Sequence, residues 1–227
     1  SSLVVIAFSI HFLKYEKRST LDYFILITFL ITALASGSRG SLVAFILVFF
    51  FKYGLTLRNI IYTFFGLVVS LFVGSINLET SINRFINQSM FNDRVLQFEY
   101  AYITLQDKLI SGHGLDKYAY IDMSLVPIFL RDKIIGAHNG YLAILTQYGI
   151  IFGGIVLFII FKKSLETYSS FKNRKGSERI FLFIIIYTLI ASIYESLITG
   201  INEFNTILFW FSLAILSYSK FNDEYEI

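Results

Sequence analysis

Residues 21–57 read LDYFILITFLITALASGSRGSLVAFILVFFFKYGLTL, an apolar run that is interrupted once, by the small and polar residues 36–40. A membrane-spanning helix uses about 20 apolar residues, so a run of this length predicts two spans that fold back on each other. Gly37 and Gly40 can supply the backbone conformations that such a turn requires. We therefore predict spans over 21–35 and 41–55, with Arg39 in the turn between them.

Apolar runs of similar character recur on both sides of this stretch. Hydrophobic residues make up 56% and charged residues 15% of the 227 residues, whereas a typical soluble domain has about 25% charged residues. The predicted spans are 3–13 (truncated), 21–35, 41–55, 60–76, 139–161, 180–199 and 204–218. The pattern predicts an all-α fold, a polytopic transmembrane helix bundle. Because Ser1 and Ser2 lead straight into an apolar stretch, we interpret residues 1–227 as a single membrane domain from the C-terminal part of a longer protein.

One long polar segment, residues 77–138, separates the fourth span from the fifth. A connection of this length is expected to carry structure of its own. A helix is predicted over about 93–109, with Asn92 as its cap and an apolar stripe at helical spacing. The stripe consists of Val95, Phe98, Tyr102 and Leu105. A second amphipathic helix, lying on the membrane surface, is predicted over 118–130.

The basic residues predict the orientation of the spans. They gather in alternate connections: Lys14, Lys17, Arg18; Lys52, Arg58; Lys162, Lys163, Lys172, Arg174, Lys175, Arg179; and Lys220. Short cytoplasmic loops carry such an excess of Lys and Arg. The turn at Arg39, the loop 77–138 and the turn at 200–203 are therefore predicted to lie together on the extracytoplasmic side. The net charge of +3 gives no reason to expect a nucleic-acid partner.

Two arginines are candidate functional residues. Arg39 could simply reach toward lipid head groups, but it lies on the side where positive charge is disfavoured, and an ionisable group at such a place favours a function. Arg94 lies beside Asp93 and near Glu99, and on its own it is typical of an ordinary charge on a solvated helix.

A second group of candidates begins at His138, where the fifth span starts. Imidazole ordinarily titrates near pH 6.5, which suits a general base, although a histidine at a helix start is often only interfacial. Asn139 could orient a hydroxyl or cap the helix. Glu195 lies inside a predicted span, where a carboxylate needs a partner. Glu203, in the following turn, could reach the same pocket.

Several common chemical signatures are absent from the sequence. The chain has no Cys, which excludes disulfide and thiolate chemistry. It also lacks an Asp-x-Asp pair, a phosphate-binding Gly-Lys-Ser/Thr loop and the His/Glu spacing of zinc enzymes. We therefore expect no metal and no other cofactor.

Three motifs follow one another along the chain: Ser38–Gly40, Asp93-Arg94 with Gly112–Gly114, and His138–Leu142 with Leu145, Gly149 and Gly153. In this order and spacing the chain resembles the O-antigen ligase and O-antigen polymerase superfamily. The resemblance covers residues 21–154, and beyond them only the hydropathy agrees. It implies an inverting, metal-independent glycosyltransferase of the bacterial inner membrane, with its active site on the periplasmic face. The substrate implied is a glycan carried on undecaprenyl pyrophosphate.

The resemblance also implies roles for the candidate residues. Arg39 and Arg94 would bind the pyrophosphate, and His138 would accept the proton of the acceptor hydroxyl. Asn139 would help to position that hydroxyl. We add three candidate substrate contacts: Tyr141, Glu195 and Glu203.

Four functions remain open at this point. We favour a polymerase that joins repeat units, because the short chain, rich in Phe, Ile, Asn and Lys, resembles the variable polymerases. The alternatives are a ligase that transfers glycan to lipid A core, a lipid-linked oligosaccharide transporter or flippase that uses Arg39 and Glu195, and a membrane scaffold. The large one-sided loop argues against a transporter. The expected partners are the lipid bilayer and, in the same pathway, a chain-length regulator and a flippase.

Overall fold

We analysed a computed structural model of the chain, which describes residues 2–35, 39–74, 90–114, 121–132, 136–174, 176–199 and 203–225. These ranges contain eight α-helices and one 3₁₀ turn: α1 Ser2–Lys14, α2 Thr20–Ala35, α3 Arg39–Tyr53, α4 Leu57–Gly74, α5 Met90–Asp107, the 3₁₀ turn Ile128–Leu130, α6 Gly140–Phe171, α7 Ser177–Ala191 and α8 Phe204–Tyr225. The prediction of an all-α fold is confirmed for the described ranges. The predicted turns at Gly37 and Gly200 and the loop from 75 to 89 lie outside them.

Helix α6 differs from the other helices in its length. Within the described ranges it alone has both the length and the apolar composition that crossing a membrane requires, a criterion that buried helices of soluble proteins also meet. Helices α1, α2 and α3 are apolar but shorter. Large apolar side chains nevertheless lie exposed along α2, namely Leu21, Phe24, Ile27 and Ile31.

The chain divides into two compact units, Ser1–Gln88 with Arg174–Phe183, and Ser89–Asn173 with Ile184–Ile227. In the first unit, α1 packs against both α2 and α3. Ala33 and Ala44 are fully buried, and small residues of this kind let neighbouring helices approach closely. Phe8 meets Phe45 edge to face, with ring centroids 4.6 Å apart.

Three cations from distant parts of the sequence meet the C-terminal ends of α1 and α3 in the first unit. Arg18 donates to the Phe12 carbonyl (3.2 Å), and Lys52 donates to the carbonyls of Phe12 and Tyr15. Arg179 donates to the carbonyls of Phe51 (2.9 Å) and Lys52 (3.0 Å). Cations suit helix C-termini because the last carbonyls there lack helical partners. These three basic connections therefore lie at one end of the unit.

The second unit is built on α6, against which α5 and α8 pack. A hydrophobic cluster joins α5, the loop and the start of α6 through Ala101, Ile121, Val126, Ala137 and Ala143. The predicted apolar stripe on α5 is wrong for Val95 and Tyr102, which are exposed, whereas Gln97, Ala101, Thr104 and Leu105 are buried. The buried face of α5 therefore combines small and polar residues with Leu105, so apolar side chains alone do not identify it.

The second predicted loop helix, over 118–130, is also wrong for residues 121–127. Asp122 starts a turn there: its carboxylate accepts hydrogen bonds from the Ser124 backbone N–H (2.9 Å) and hydroxyl (2.7 Å). Asp commonly forms such turns because its side chain can replace a backbone acceptor. The hydrogen bonds from Ser124 lower the pKa of Asp122. Within the described residues 121–130, a 3₁₀ turn forms at Ile128–Leu130, which follows Pro127.

Candidate functional site

His138 lies two residues before α6, next to the N-cap Asn139, and has a positive φ of 41°. Few non-glycine residues adopt this backbone conformation, although histidine and asparagine do so more often than most. The flanking Ala137 is fully buried in the hydrophobic cluster. Packing on one side and the start of α6 on the other thus hold His138 in this conformation.

Asn139 caps α6. Its Oδ1 accepts hydrogen bonds from the backbone N–H groups of Tyr141 (2.9 Å) and Leu142 (3.0 Å). Its Nδ2 donates to the carbonyl of Ile193, 2.8 Å away. Asparagine is among the preferred N-cap residues because its oxygen satisfies N–H groups that lack a helical partner. The residue therefore both starts α6 and ties it to the segment after α7.

Gly140 and Tyr141 continue this junction. The Gly140 N–H donates to the carbonyls of Ser192 (2.8 Å) and Glu195 (3.1 Å). A Cβ on Gly140 would lie 3.2 Å from the Ser192 Cβ, which is a tighter contact than most side chains make, so Ser192 would have to shift to accept it. The Tyr141 hydroxyl donates to the carbonyl of Leu189. Residues 139–141 are therefore hydrogen-bonded to residues 189–195 at four positions along the chain.

The same junction brings Glu195 to His138. The His138 Nδ1 lies 3.7 Å from the Glu195 Oε2, and about 40% of each side chain is exposed (39% and 40%). At this separation, which is longer than a hydrogen bond, the two side chains are in electrostatic contact rather than directly hydrogen-bonded. The contact uses Nδ1 and leaves Nε2 outside it.

Glu195 does not lie within a helix, although the predicted span 180–199 placed it in one. Helix α7 ends at Ala191. The residues after it are held instead by side chains of α8: Thr206 donates to the Leu197 carbonyl (2.6 Å) and Trp210 to the Ile198 carbonyl (3.3 Å). Hydrogen bonds to α6 and α8 thus replace helical hydrogen bonds after Ala191. The sequence does not reveal this end of the helix, because residues 180–199 are mostly apolar and contain no Gly or Pro.

Helix α6 consists of two arms that fold back on each other at Gly149. This residue has φ 72° and ψ 175°. The rings of Tyr141 and Phe161 are stacked with centroids 5.5 Å apart. In a straight helix, 20 residues extend about 30 Å. The predicted single span 139–161 is therefore interrupted: a first arm, 140–148, is about 13 Å long, and a second arm, 150–171, is about 33 Å long.

The structure groups four of the seven predicted site residues: His138, Asn139, Tyr141 and Glu195. Glu203 is exposed directly before α8. Arg94 lies in α5, and Arg39 begins α3 in the other unit. The side chains of both arginines lie outside the described residues, so their roles stay predictions, as does that of Glu203. Among the residues that the structure describes, no group of three or more His, Asp or Glu side chains could hold a metal ion.

Two residues at this junction had not been singled out for it from the sequence. Gly140 makes the close approach, and Ser192 supplies a carbonyl acceptor to it. For Gly140, the sequence indicated this role only by placing a glycine directly after an asparagine that could cap the helix. Nothing in the sequence indicated the role of Ser192, because that role depends on where α7 ends.

Comparison with known proteins adds a family match. A family model described as O-antigen ligase matches residues 24–159, which is more than half of the chain. The matched range includes Arg39, Arg94, His138, Asn139 and Tyr141, whereas Glu195 and Glu203 lie beyond it. Comparisons with curated proteins and with solved structures gave no match.

Proposed function

Because this chain belongs to the O-antigen ligase family, we propose that it is a membrane glycosyltransferase of polysaccharide biosynthesis that acts on a lipid-linked glycan. The observation that carries the proposal is the pair formed by His138 and Glu195 at the start of α6. A histidine that has a carboxylate beside one ring nitrogen and the other nitrogen outside that contact is suited to act as a general base that accepts a proton from a hydroxyl.

The proposed reaction joins the acceptor hydroxyl to the anomeric carbon of a glycan on undecaprenyl pyrophosphate. The acceptor oxygen attacks that carbon, and the bond to the pyrophosphate oxygen breaks and leaves its electron pair on the pyrophosphate. Attack from the opposite face inverts the anomeric centre. The hydroxyl proton passes to Nε2 of His138, and the carboxylate of Glu195 stabilises the imidazolium that forms.

Two guanidinium groups complete the proposal. Arg39 and Arg94 would bind the pyrophosphate and stabilise its growing negative charge, since a planar guanidinium can bind phosphate oxygens with two hydrogen bonds. They would supply positive charge that a divalent metal supplies in other transferases, so we propose a metal-independent reaction. Tyr141 and Glu203 remain candidate substrate contacts. In Tyr141 the hydroxyl proton is already donated to Leu189.

We further propose that the chain crosses the bacterial inner membrane several times and carries this site on the periplasmic side. The exposed apolar face of α2 supports contact with lipid. The convergence of Arg18, Lys52 and Arg179 supports a common, cytoplasmic side for their connections. A chain-length regulator and a flippase of the same pathway are the proposed protein partners.

We favour a polymerase, whereas the description of the matching family favours a ligase. Reconstitution of the full-length protein with a lipid-pyrophosphate repeat unit alone separates the two. A ladder of products is expected from a polymerase. A ligase gives no product until core lipid is added.

The mechanism is tested by substituting the proposed base. His138→Asn is preferable to alanine because asparagine tolerates a positive φ, so the backbone is retained. We expect kcat to fall about 10²- to 10⁴-fold, the usual contribution of general acid–base catalysis. Lipid-linked donor should then accumulate on the outer face; accumulation on the inner face would indicate a transporter. Full activity of His138→Asn would refute the proposed base.

Glu195→Gln tests the second member of the pair. It keeps the size of the side chain and removes the charge that would stabilise the imidazolium formed when the acceptor proton is transferred. We expect kcat to fall about 10-fold with little change in KM. A kcat equal to that of the unsubstituted protein would mean that Glu195 does not act on the base.

A further inference from the structure

The interruption of α6 at Gly149 is bridged by the segment that follows α5. The Ile150 N–H donates to the Leu109 carbonyl (2.7 Å), and the carbonyls of Thr146 and Gln147 accept from the N–H groups of His113 (2.9 Å) and Gly114 (3.0 Å). In an unbroken helix Ile150 would donate to Thr146. The inserted segment thus satisfies the backbone groups that the break sets free. We call residues 109–114 and 146–150 the glycine clasp.

Glycine is required on both sides of the clasp. A Cβ on Gly112 would lie 2.3 Å from the Gln147 carbonyl oxygen, and a Cβ on Gly149 would lie 2.0 Å from the Ile110 carbonyl oxygen. Both residues have positive φ, 67° and 72°. The conformation of Gly149, with ψ 175°, lies in a region reached almost only by glycine.

The clasp joins α5 to the first arm of α6. On the α5 side, the Gly112 N–H donates to the Lys108 carbonyl (2.9 Å), and the His113 Nε2 lies 2.8 Å from the Thr104 carbonyl oxygen. On the other side, the first arm begins at the Asn139 cap, next to His138. The hydrophobic cluster around Ala101 and Ala143 adds a second connection between the same elements.

We propose that Gly112 and Gly149 are positioning residues for the transfer reaction. The clasp holds α5, which carries Arg94, in a fixed place relative to His138. This inference rests on the proposed function, in which Arg94 acts on the leaving group and His138 acts on the nucleophile of the same reaction. Such groups must keep their spacing, because a misplacement of about 1 Å can lower a rate 10²-fold.

The test compares two glycines of α6, Gly149 at the break and Gly154 in the second arm. At Gly149 an alanine collides with the backbone, whereas at Gly154 the added Cβ meets no atom within 4 Å. In the full-length protein supplied with lipid-pyrophosphate repeat units, and core lipid if required, Gly149→Ala should lower kcat about 10- to 100-fold with a smaller change in KM. Gly154→Ala should keep kcat within about twofold of the unsubstituted protein, since it leaves the clasp intact.

A distance measurement separates positioning from a loss of folded protein. The chain has no Cys, so cysteines placed at the exposed Tyr102 of α5 and Phe152 of the second arm can carry a unique pair of spin labels, provided that other segments of the full-length protein are also free of Cys. We expect a narrow distance distribution that broadens or shifts in Gly149→Ala and not in Gly154→Ala. Broadening without a fall in kcat, or a fall in kcat with unchanged distances, would overturn the inference.

A milder variant covers the case in which Gly149→Ala does not fold. His113→Ala removes the contact with the Thr104 carbonyl and adds no atom, and it should lower kcat about threefold with a partly broadened distribution. An unchanged kcat and distribution would again overturn the inference. Failure of the proposed function has a different signature, which is the absence of any transfer product with the unsubstituted protein, whatever the distance distributions show.

Discussion

Replacement of Asn139 by alanine should weaken the junction that holds the candidate site. The side chain makes three hydrogen bonds: two accepted from the first turn of α6 and one donated to the Ile193 carbonyl. Alanine keeps the backbone and removes all three. The change therefore loosens the start of α6 and its tie to the segment that carries Glu195.

The size of the effect follows from these bonds. Loss of an asparagine N-cap costs about 1 kcal/mol, and loss of a neutral hydrogen bond to a backbone carbonyl costs about 1 kcal/mol more. A total of about 2 kcal/mol lowers the melting temperature of a protein of this size by roughly 4–8 °C. Asn139→Asp retains the two accepting bonds and places a negative charge at the helix N-terminus, which is favourable. It loses the donated bond and places a carboxylate oxygen beside the Ile193 carbonyl oxygen, so its melting temperature should lie between those of the unsubstituted protein and Asn139→Ala.

The assay is thermal unfolding of the purified protein in detergent, followed by circular dichroism at one scan rate for all variants. The order of melting temperatures should be unsubstituted protein, then Asn139→Asp, then Asn139→Ala. Transfer activity at 25 °C should fall in the same order, because the junction positions His138 against Glu195. An alanine variant that melts within about 1 °C of the unsubstituted protein would refute the cap energetics.

Two further predictions concern packing and pH. Gly140→Ala places a Cβ 3.2 Å from the Ser192 Cβ and should lower the free energy of unfolding by about 1 kcal/mol through overpacking. In a double-mutant cycle, the additional substitution Ser192→Gly should restore part of that loss. Strictly additive effects of the two substitutions would contradict the contact. The pKa of Asp122 is lowered by the hydrogen bonds from Ser124, so its contribution to stability is present above the ordinary pKa of an aspartate and is lost as pH falls through the lowered value. The Asp122→Ala variant should therefore melt slightly below the unsubstituted protein at pH 7, and the two melting temperatures should converge in acid. The difference is small because the carboxylate is exposed. A difference in melting temperature that grew on acidification would contradict this sign.

The local features of the fold were predictable, because hydrophobic pattern and breakers act over a few residues. The predicted limits of the first four spans lie within three residues of the ends of α1 to α4. The candidates His138 and Asn139 were also recognisable, since a titratable group at the start of an apolar run is unusual. The sequence left open whether Asn139 caps α6 or positions a hydroxyl, and the structure shows that its oxygen accepts the capping hydrogen bonds.

The side of α5 that is buried was not predictable from its largest apolar residues. Val95 and Tyr102 are exposed while Thr104 is fully buried, and the Thr104 hydroxyl accepts a hydrogen bond from the Asp122 N–H at 3.0 Å. That bond joins residues 18 positions apart in the chain. A helical stripe records only which side chains are apolar, whereas burial also depends on what another segment offers to each face.

The sequence by itself determined the helical class, the limits of the early helices, the sites of basic charge and the family. Only the tertiary structure decided that α6 folds back at Gly149 and that α7 stops at Ala191. At both places backbone groups form hydrogen bonds with another segment instead of within their own helix. The partners are Leu109 and His113 at the break of α6, and Gly140 at the end of α7. Helical and inter-segment hydrogen bonds are nearly equal in energy, so the outcome depends on which segments meet, and no local pattern records that.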